Sequence, residues 1–163
     1  MLTFCISTFN NYDYLYKVIE CLKKQKNQNF NVVIQDNTKK SLLKKIDFKS
    51  NNVVINTEQC NGLSESRNLS AKICETEYIH FLDDDVLFDS NFSQRVIDSL
   101  LKNSECASIG GKITPDWTYT SKPSWISNST LAMLSCVDFG DNIIQYGGNC
   151  REAGWLVGAN LIF

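Results

Sequence analysis

"EYIHFLDDDVLF", residues 77–88, is the stretch on which the fold turns. It opens as a strand suited to a dry interior, with Tyr78, Ile79, Phe81 and Leu82 around His80, and runs directly into Asp83, Asp84 and Asp85. Consecutive carboxylates disfavour one another's ionisation unless a cation sits among them. In an open α/β sheet ligands bind outside the carboxyl ends of the strands, so an apolar strand that ends in acids is a candidate for such an edge.

The segments on either side repeat one pattern. "LTFCIS" (2–7) is an apolar run of strand formers. Asn10 or Asn11 then stands where a helix cap is needed, and Leu15, Val18, Ile19 and Leu22 follow at i, i+3, i+4, i+7, one apolar helical face. "FNVVIQ" (30–35) and "NVVIN" (52–56) are further strands, and 63–75 reads as a helix with Leu69 and Ile73 on one side. The quoted stretch supplies a fourth strand at 78–82. Residues 90–102 form a helix through Phe92, Val96, Ile97 and Leu100, and "CASIGGKI" (106–113) a fifth strand with a glycine break. Strand–helix–strand repetition predicts an α/β domain, a Rossmann-like mostly parallel sheet with helices on both faces. Nearly continuous apolar strands fit a sheet buried on both sides. From about residue 115 the periodicity weakens, and "DWTYTSKPSWISNST" (116–130) reads as a long loop of the kind that often carries function.

The totals narrow the classes. A length of 163 residues suits one domain with a real core. A net charge of −2 gives no sign of a general nucleic-acid binder. Charge is uneven: Lys23, Lys24, Lys26, Lys39, Lys40, Lys44 and Lys45 crowd the first fifty residues. They read as solvated surface, with contact to an anionic membrane or ligand as the weaker alternative. Cys5, Cys21, Cys60, Cys74, Cys106, Cys136 and Cys150 form no C-x-x-C pair and are odd in number. That argues against a disulfide framework or zinc site and for a reducing compartment. No apolar window is long enough to span a membrane, and "MLTFCISTF" lacks the basic start of a signal peptide. The expected location is the cytoplasm, with peripheral association at the inner face of the membrane left open.

Three polar segments follow strands: "STFN" (7–10), "QDNT" (35–38) and "DDD" (83–85). They are distant in sequence, yet this topology brings them to one crevice. Two carboxylates spaced i and i+2 can both reach a hard divalent cation. Mg²⁺ takes one or two carboxylates together with substrate phosphates, and Mn²⁺ accepts the same ligands. A solvated acidic loop capping the next helix is the alternative, and from "DDD" alone the two stand about even.

With those residues in place, the chain resembles the N-terminal part of a family 2 glycosyltransferase of the GT-A fold. "CISTFNNYDYLYKVIECLKKQ" is similar to the family's first strand, T-Y-N turn and helix, and "VVIQDNT" to its V-V-D-D/N-G-S segment. "NGLSESRNLSAKICETEYIHFLDDDV" resembles G-L-S-x-A-R-N, a helix, and the strand into D-x-D, while "SIGGKI" and "WLVGAN" resemble two later landmarks. The resemblance implies metal-dependent transfer of a sugar from a nucleotide-sugar donor, a UDP-sugar first of all. Inversion at the anomeric carbon and a saccharide or lipid-linked acceptor go with it, as in bacterial surface polysaccharide synthesis. It implies nucleotide contacts from Ser7, Thr8, Phe9, Asn10, Asp36, Arg67, Asp83 and Asp84, with Thr8 and Phe9 at the base, Asp36 on the base edge and Arg67 near base and diphosphate. Asp85 and Asp83 are implied as metal ligands for Mn²⁺ or Mg²⁺, with Asp83 nearer the ribose.

The departures are specific. Phe9 stands where Tyr is common, "DNTKK" replaces D-G-S, and Cys60 replaces the Asn of N-x-G. The family's catalytic acid follows the G-A-N landmark, and here the sequence stops at Phe163 inside the apolar run "WLVGANLIF". The expectation is therefore a single domain, 1–163, cut short, with a nucleotide-binding part at 1–114 and the start of an acceptor-side part at 115–163. The catalytic base is expected beyond Phe163, with Glu152 a weak candidate. A nucleotide-binding module without transferase activity is the alternative. A haloacid-dehalogenase-type phosphatase fits poorly, because Leu87 stands where Thr or Val is needed. A sugar-nucleotide pyrophosphorylase lacks its glycine-rich loop, since "STFNN" has no glycine. His80 is expected as a satisfied core histidine. Trp117, Trp125 and Trp155 are either sugar platforms or packing.

Overall fold

The computed structural model describes residues 1–43, 53–146 and 156–163. Its elements are β1 (Leu2–Thr8), α1 (Tyr12–Lys23), β2 (Phe30–Asp36), β3 (Val53–Asn56), α2 (Leu63–Ile73), β4 (Tyr78–Asp83), α3 (Phe92–Lys102), β5 (Ile109–Gly110), α4 (Asn128–Met133) and β6 (Asn160–Ile162). They build one six-stranded sheet in the order β3-β2-β1-β4-β6-β5. The four strands from β3 to β4 are parallel. β6 runs antiparallel between β4 and β5.

Alternation along each strand splits the core in two. Leu2, Phe4 and Ile6 of β1 cluster with Phe30, Val32 and Ile34 of β2 under Leu15, Val18, Ile19 and Leu22 of α1 and Val96 and Leu100 of α3. Each such side chain contributes roughly 1.5–3 kcal/mol on burial. Cys5, Val33 and Phe81 point the other way and meet Ala71 and Ile73 of α2. Helices therefore cover both faces, as the continuous apolar strands predict.

Two expectations need correction, the bounds of the fifth strand and the cap of α1. The fifth strand is Ile109–Gly110 rather than 106–113, because the glycine pair lies against the β6 turn: a Cβ on Gly111 would sit 2.2 Å from Asn160 Nδ2. The apolar run at the end of the sequence enters the sheet as an antiparallel strand. Asn11 occupies the N-cap of α1 but makes no side-chain cap bond; its amide is drawn elsewhere. His80 is fully buried, as expected, with Nε2 2.8 Å from Asn160 Oδ1. Burial pushes its pKa down to about 4, so the ring is neutral.

Candidate functional site

The register brings the three polar segments together. Ser7 lies beside Gln35 on one side and Asp83 on the other, and Thr8 lies beside Asp36. Their strands end at the same level and open into a cleft of about 1290 Å³. Ser7, Thr8, Phe9, Asn10, Asp83, Asp84 and Asp85 all line it. Phe9 is 62% exposed, which leaves its ring face free for a planar ligand.

The three aspartates differ because the backbone turns them in different directions. Asp83 faces α2, where Arg67 Nη2 donates to it at 2.9 Å and to Gly158 O at 3.0 Å. Asp84 faces α1 and accepts from Thr8 Oγ1 at 2.6 Å and from Asn11 Nδ2 at 2.8 Å. That second bond is where the unused cap amide goes. Asp85 is exposed, and among the described residues no other side chain bonds its carboxylate. The water lost on its protein side, then the charges of Asp83 and Asp84, push its pKa up. The opening repulsion is thus relieved at two carboxylates by protein donors and is left standing at the third.

Asp36 is placed differently from its expected role. Its side chain is fully buried and does not line the cleft. Tyr12 donates its hydroxyl at 2.9 Å and Thr38 its backbone N–H at 3.0 Å. Burial opposes its charge, but the hydrogen bonds from Ser41, Thr38 and Tyr12 prevail and hold the carboxyl below the usual range. Arg67 likewise lies beside the lining, one residue along from Ser66. Glu152, Cys150, Trp155, Lys44 and Lys45 fall outside the described residues.

Some cleft residues carry no motif signal. Asn37 clamps the far wall, donating to Cys60 O at 2.8 Å and accepting from Cys60 N at 2.9 Å. Ser66 donates to Ser7 Oγ at 2.7 Å and so ties α2 to the end of β1. Ser66 and Ser70 are both buried on α2, and a pair of small polar residues at i, i+4 was the available clue. Lys39 also lines the cleft.

The family model described as "Glycosyl transferase family 2" matches residues 3–150. The chain belongs to this family. Among its relatives, the glucosyl-dolichyl phosphate glucuronosyltransferase of Haloferax volcanii is 24% identical over 102 residues, 63% of this chain and 31% of that protein. The teichoic acid poly(glycerol phosphate) polymerase of Staphylococcus epidermidis is 31% identical over 90 residues, 52% of this chain and 12% of that one. This family 2 chain thus spans about a third or less of the length of the curated relatives it matches. Solved structures share its fold. S. aureus TarS 1–349 in complex with UDP-GlcNAc superposes with a TM-score of 0.59 at 18% identity, over 76% of this chain and 37% of that one. The mannosyltransferase PcManGT from Pyrobaculum calidifontis, in complex with GDP-Man and Mn²⁺, gives 0.54 at 14%, over 70% and 36%. The family 2 chain is therefore a GT-A α/β fold. Among its described residues no helix is long and apolar enough to cross a membrane.

Proposed function

We propose that this chain binds the donor of a nucleotide-sugar-dependent glycosyltransferase in the cleft at the ends of β1, β2 and β4. The observation that carries the reading is the three-way division of the aspartates. Asp83 and Asp84 are held by Arg67, Thr8 and Asn11, and Asp85 alone is left open toward the cleft. Among the described residues no three His, Cys, Asp or Glu side chains gather to hold a metal by themselves. One open carboxylate beside a roomy cleft suits a Mg²⁺ or Mn²⁺ ion that completes its shell with phosphate oxygens and water. Asp85 would be its main protein ligand and Asp83 the second, and the ion's chemistry would be to neutralise the departing nucleoside diphosphate. Phe9 offers a stacking face to the base, and Ser7, Thr8 and Asn10 surround it. TarS has been solved in complex with UDP-GlcNAc and PcManGT in complex with GDP-Man and Mn²⁺, which supports a nucleotide-sugar donor. We take UDP first.

The acceptor in this reading is a saccharide or lipid-linked saccharide of surface-polymer synthesis, and transfer is an inverting in-line displacement. It requires a base to take the acceptor proton, a contribution of roughly two to four orders of magnitude. Among the described residues the only acids lining the cleft are Asp83, Asp84 and Asp85, and that favours keeping a second reading, a nucleotide-binding module. Cytoplasmic location and peripheral membrane association belong to the same proposal.

Calorimetry of UDP binding with Mn²⁺, with Mg²⁺ and with chelator tests it, with GDP as the comparison. UDP should bind at least about tenfold more tightly with metal, a difference of about 1.4 kcal/mol. Asp85→Ala should abolish only the metal-dependent part. Equal affinity with and without metal would overturn the assignment of Asp85. Binding without transfer to any acceptor would leave the module reading standing.

A further inference from the structure

The face of the sheet under α2 carries a feature the cleft does not use. Cys5, in the middle of β1, and Cys74, at the C-cap of α2, stand 69 positions apart in sequence with their sulfurs 3.3 Å apart. Cys5 is 1% exposed, whereas Cys74 is half-buried and reachable from solvent. Cys74 Sγ also lies 3.2 Å from Ser70 O, so the fold holds the pair together from both sides. The two thiols are unequal. The hydrogen bond between them pushes Cys5 up and draws Cys74 down, toward the thiolate that reacts.

We propose that Cys5 and Cys74 form an oxidisable dithiol that hydroperoxides convert to an intramolecular disulfide. The more accessible of the two cysteines, Cys74, reacts first. The Cys74 thiolate attacks one peroxide oxygen, the O–O bond breaks, and Cys74 becomes a sulfenic acid while the other oxygen leaves as water or alcohol. Cys5 then attacks the Cys74 sulfur, the S–O bond breaks, a second water leaves with the Cys5 proton, and the S–S bond forms. Two electrons pass from the two thiols to one peroxide. The sulfurs must approach by a little over 1 Å to reach bonding distance, a motion that the C-terminal turn of α2 can supply. Because Cys5 is sealed from water, it serves as the resolving thiol and not the first target. The bond would fasten α2 to β1 across 69 positions and restrict the unfolded chain.

Peptide mapping reads the result directly. Trypsin releases residues 1–17 and 73–95, each with one cysteine. After stoichiometric hydrogen peroxide and thiol blocking under denaturing conditions, the two peptides should appear joined, and reductant should separate them. The midpoint of thermal unfolding should rise by roughly 5–10 °C on oxidation. Cys5→Ala should instead let the Cys74 sulfenic acid accumulate and be trapped by dimedone, and Cys74→Ser should abolish both products. The proposal is overturned if the wild type accumulates trapped or over-oxidised Cys74 with no joined peptide. It is equally overturned if Cys5 is recovered linked to any other cysteine. Both readouts are covalent, so neither depends on nucleotide binding.

Discussion

Asp85 makes the cleft expensive to fold. Its carboxyl is raised by the water it loses against the protein and by Asp83 and Asp84, so ionised Asp85 opposes folding near neutral pH. Asp85→Asn should therefore raise the unfolding temperature of the metal-free protein while removing any further rise on adding Mn²⁺. Differential scanning fluorimetry with and without the ion checks both halves, and a loss of stability without metal would mean that the carboxylate has an unseen partner. Asp36 behaves oppositely. Asp36→Ala strips Tyr12 and the Thr38 amide of their acceptor in a buried place, which should lower stability by about 1–3 kcal/mol in urea unfolding. If UDP affinity is unchanged while stability falls, Asp36 holds the turn rather than the base. These side chains show what was legible in the residues alone. The aspartate cluster was, because repulsion between adjacent charges is visible in any sequence. The division of labour within it was not, because it depends on which donor each carboxylate meets, and those donors come from two segments distant in sequence, Thr8 and Asn11 around the end of β1 and Arg67 on α2. The burial of Asp36 was hidden for the same reason: Tyr12, which donates to it, lies 24 positions away in sequence.

At the scale of elements, β4 and β6 are joined through a ring. His80 is fully buried between Phe4 and Phe92, and its contact with Asn160 spans the two strands. Among the described residues its Nδ1 has no hydrogen-bond partner. With the folded pKa near 4 and an unfolded value near 6.5, the unfolded chain takes up the proton first. The neutral ring's contribution is thus complete above about pH 6.5 and drains away as the pH falls toward 4, a total of roughly 3 kcal/mol. His80→Gln keeps a donor for Asn160 and cannot titrate, so its stability should fall less between pH 7 and 4.5 than that of the wild type, by about 2–3 kcal/mol. Equal slopes in urea unfolding would show that the ring is hydrated. The helices α1, α2 and α3 were readable to within a few residues because their apolar spacing is local. β5 and β6 were less so. Ile109–Gly110 and Asn160–Ile162 are too short for a periodic signal, and the antiparallel direction of β6 rests on pairing with His80 and Leu82 far upstream.

Across the whole molecule, packing is concentrated at one end. The strands β1 and β2 are buried almost throughout, whereas Tyr119, Trp125, Met133 and Ile143 are each more than two-thirds exposed. Hydrogen exchange should follow that gradient, since local opening requires least free energy where few apolar contacts are lost. Amides of β1, β2 and β4 should exchange only with global unfolding. Those of 116–146 should exchange far sooner, apart from the mutual Ile113–Val137 bonds. Uniform protection would show that the segment is held by more than its visible contacts. The position of β6 also bears on how the chain is made. Between β4 and β5 lies a gap that only residues 160–162 fill, so roughly eighty residues of synthesis separate β4 from its neighbour. Until they arrive, β4 is an open edge carrying Phe81 and Leu82, and unpaired apolar edges are templates for pairing with other chains. Translation at about 5–20 residues per second would hold that edge open for several seconds, long enough for a chaperone to reach it.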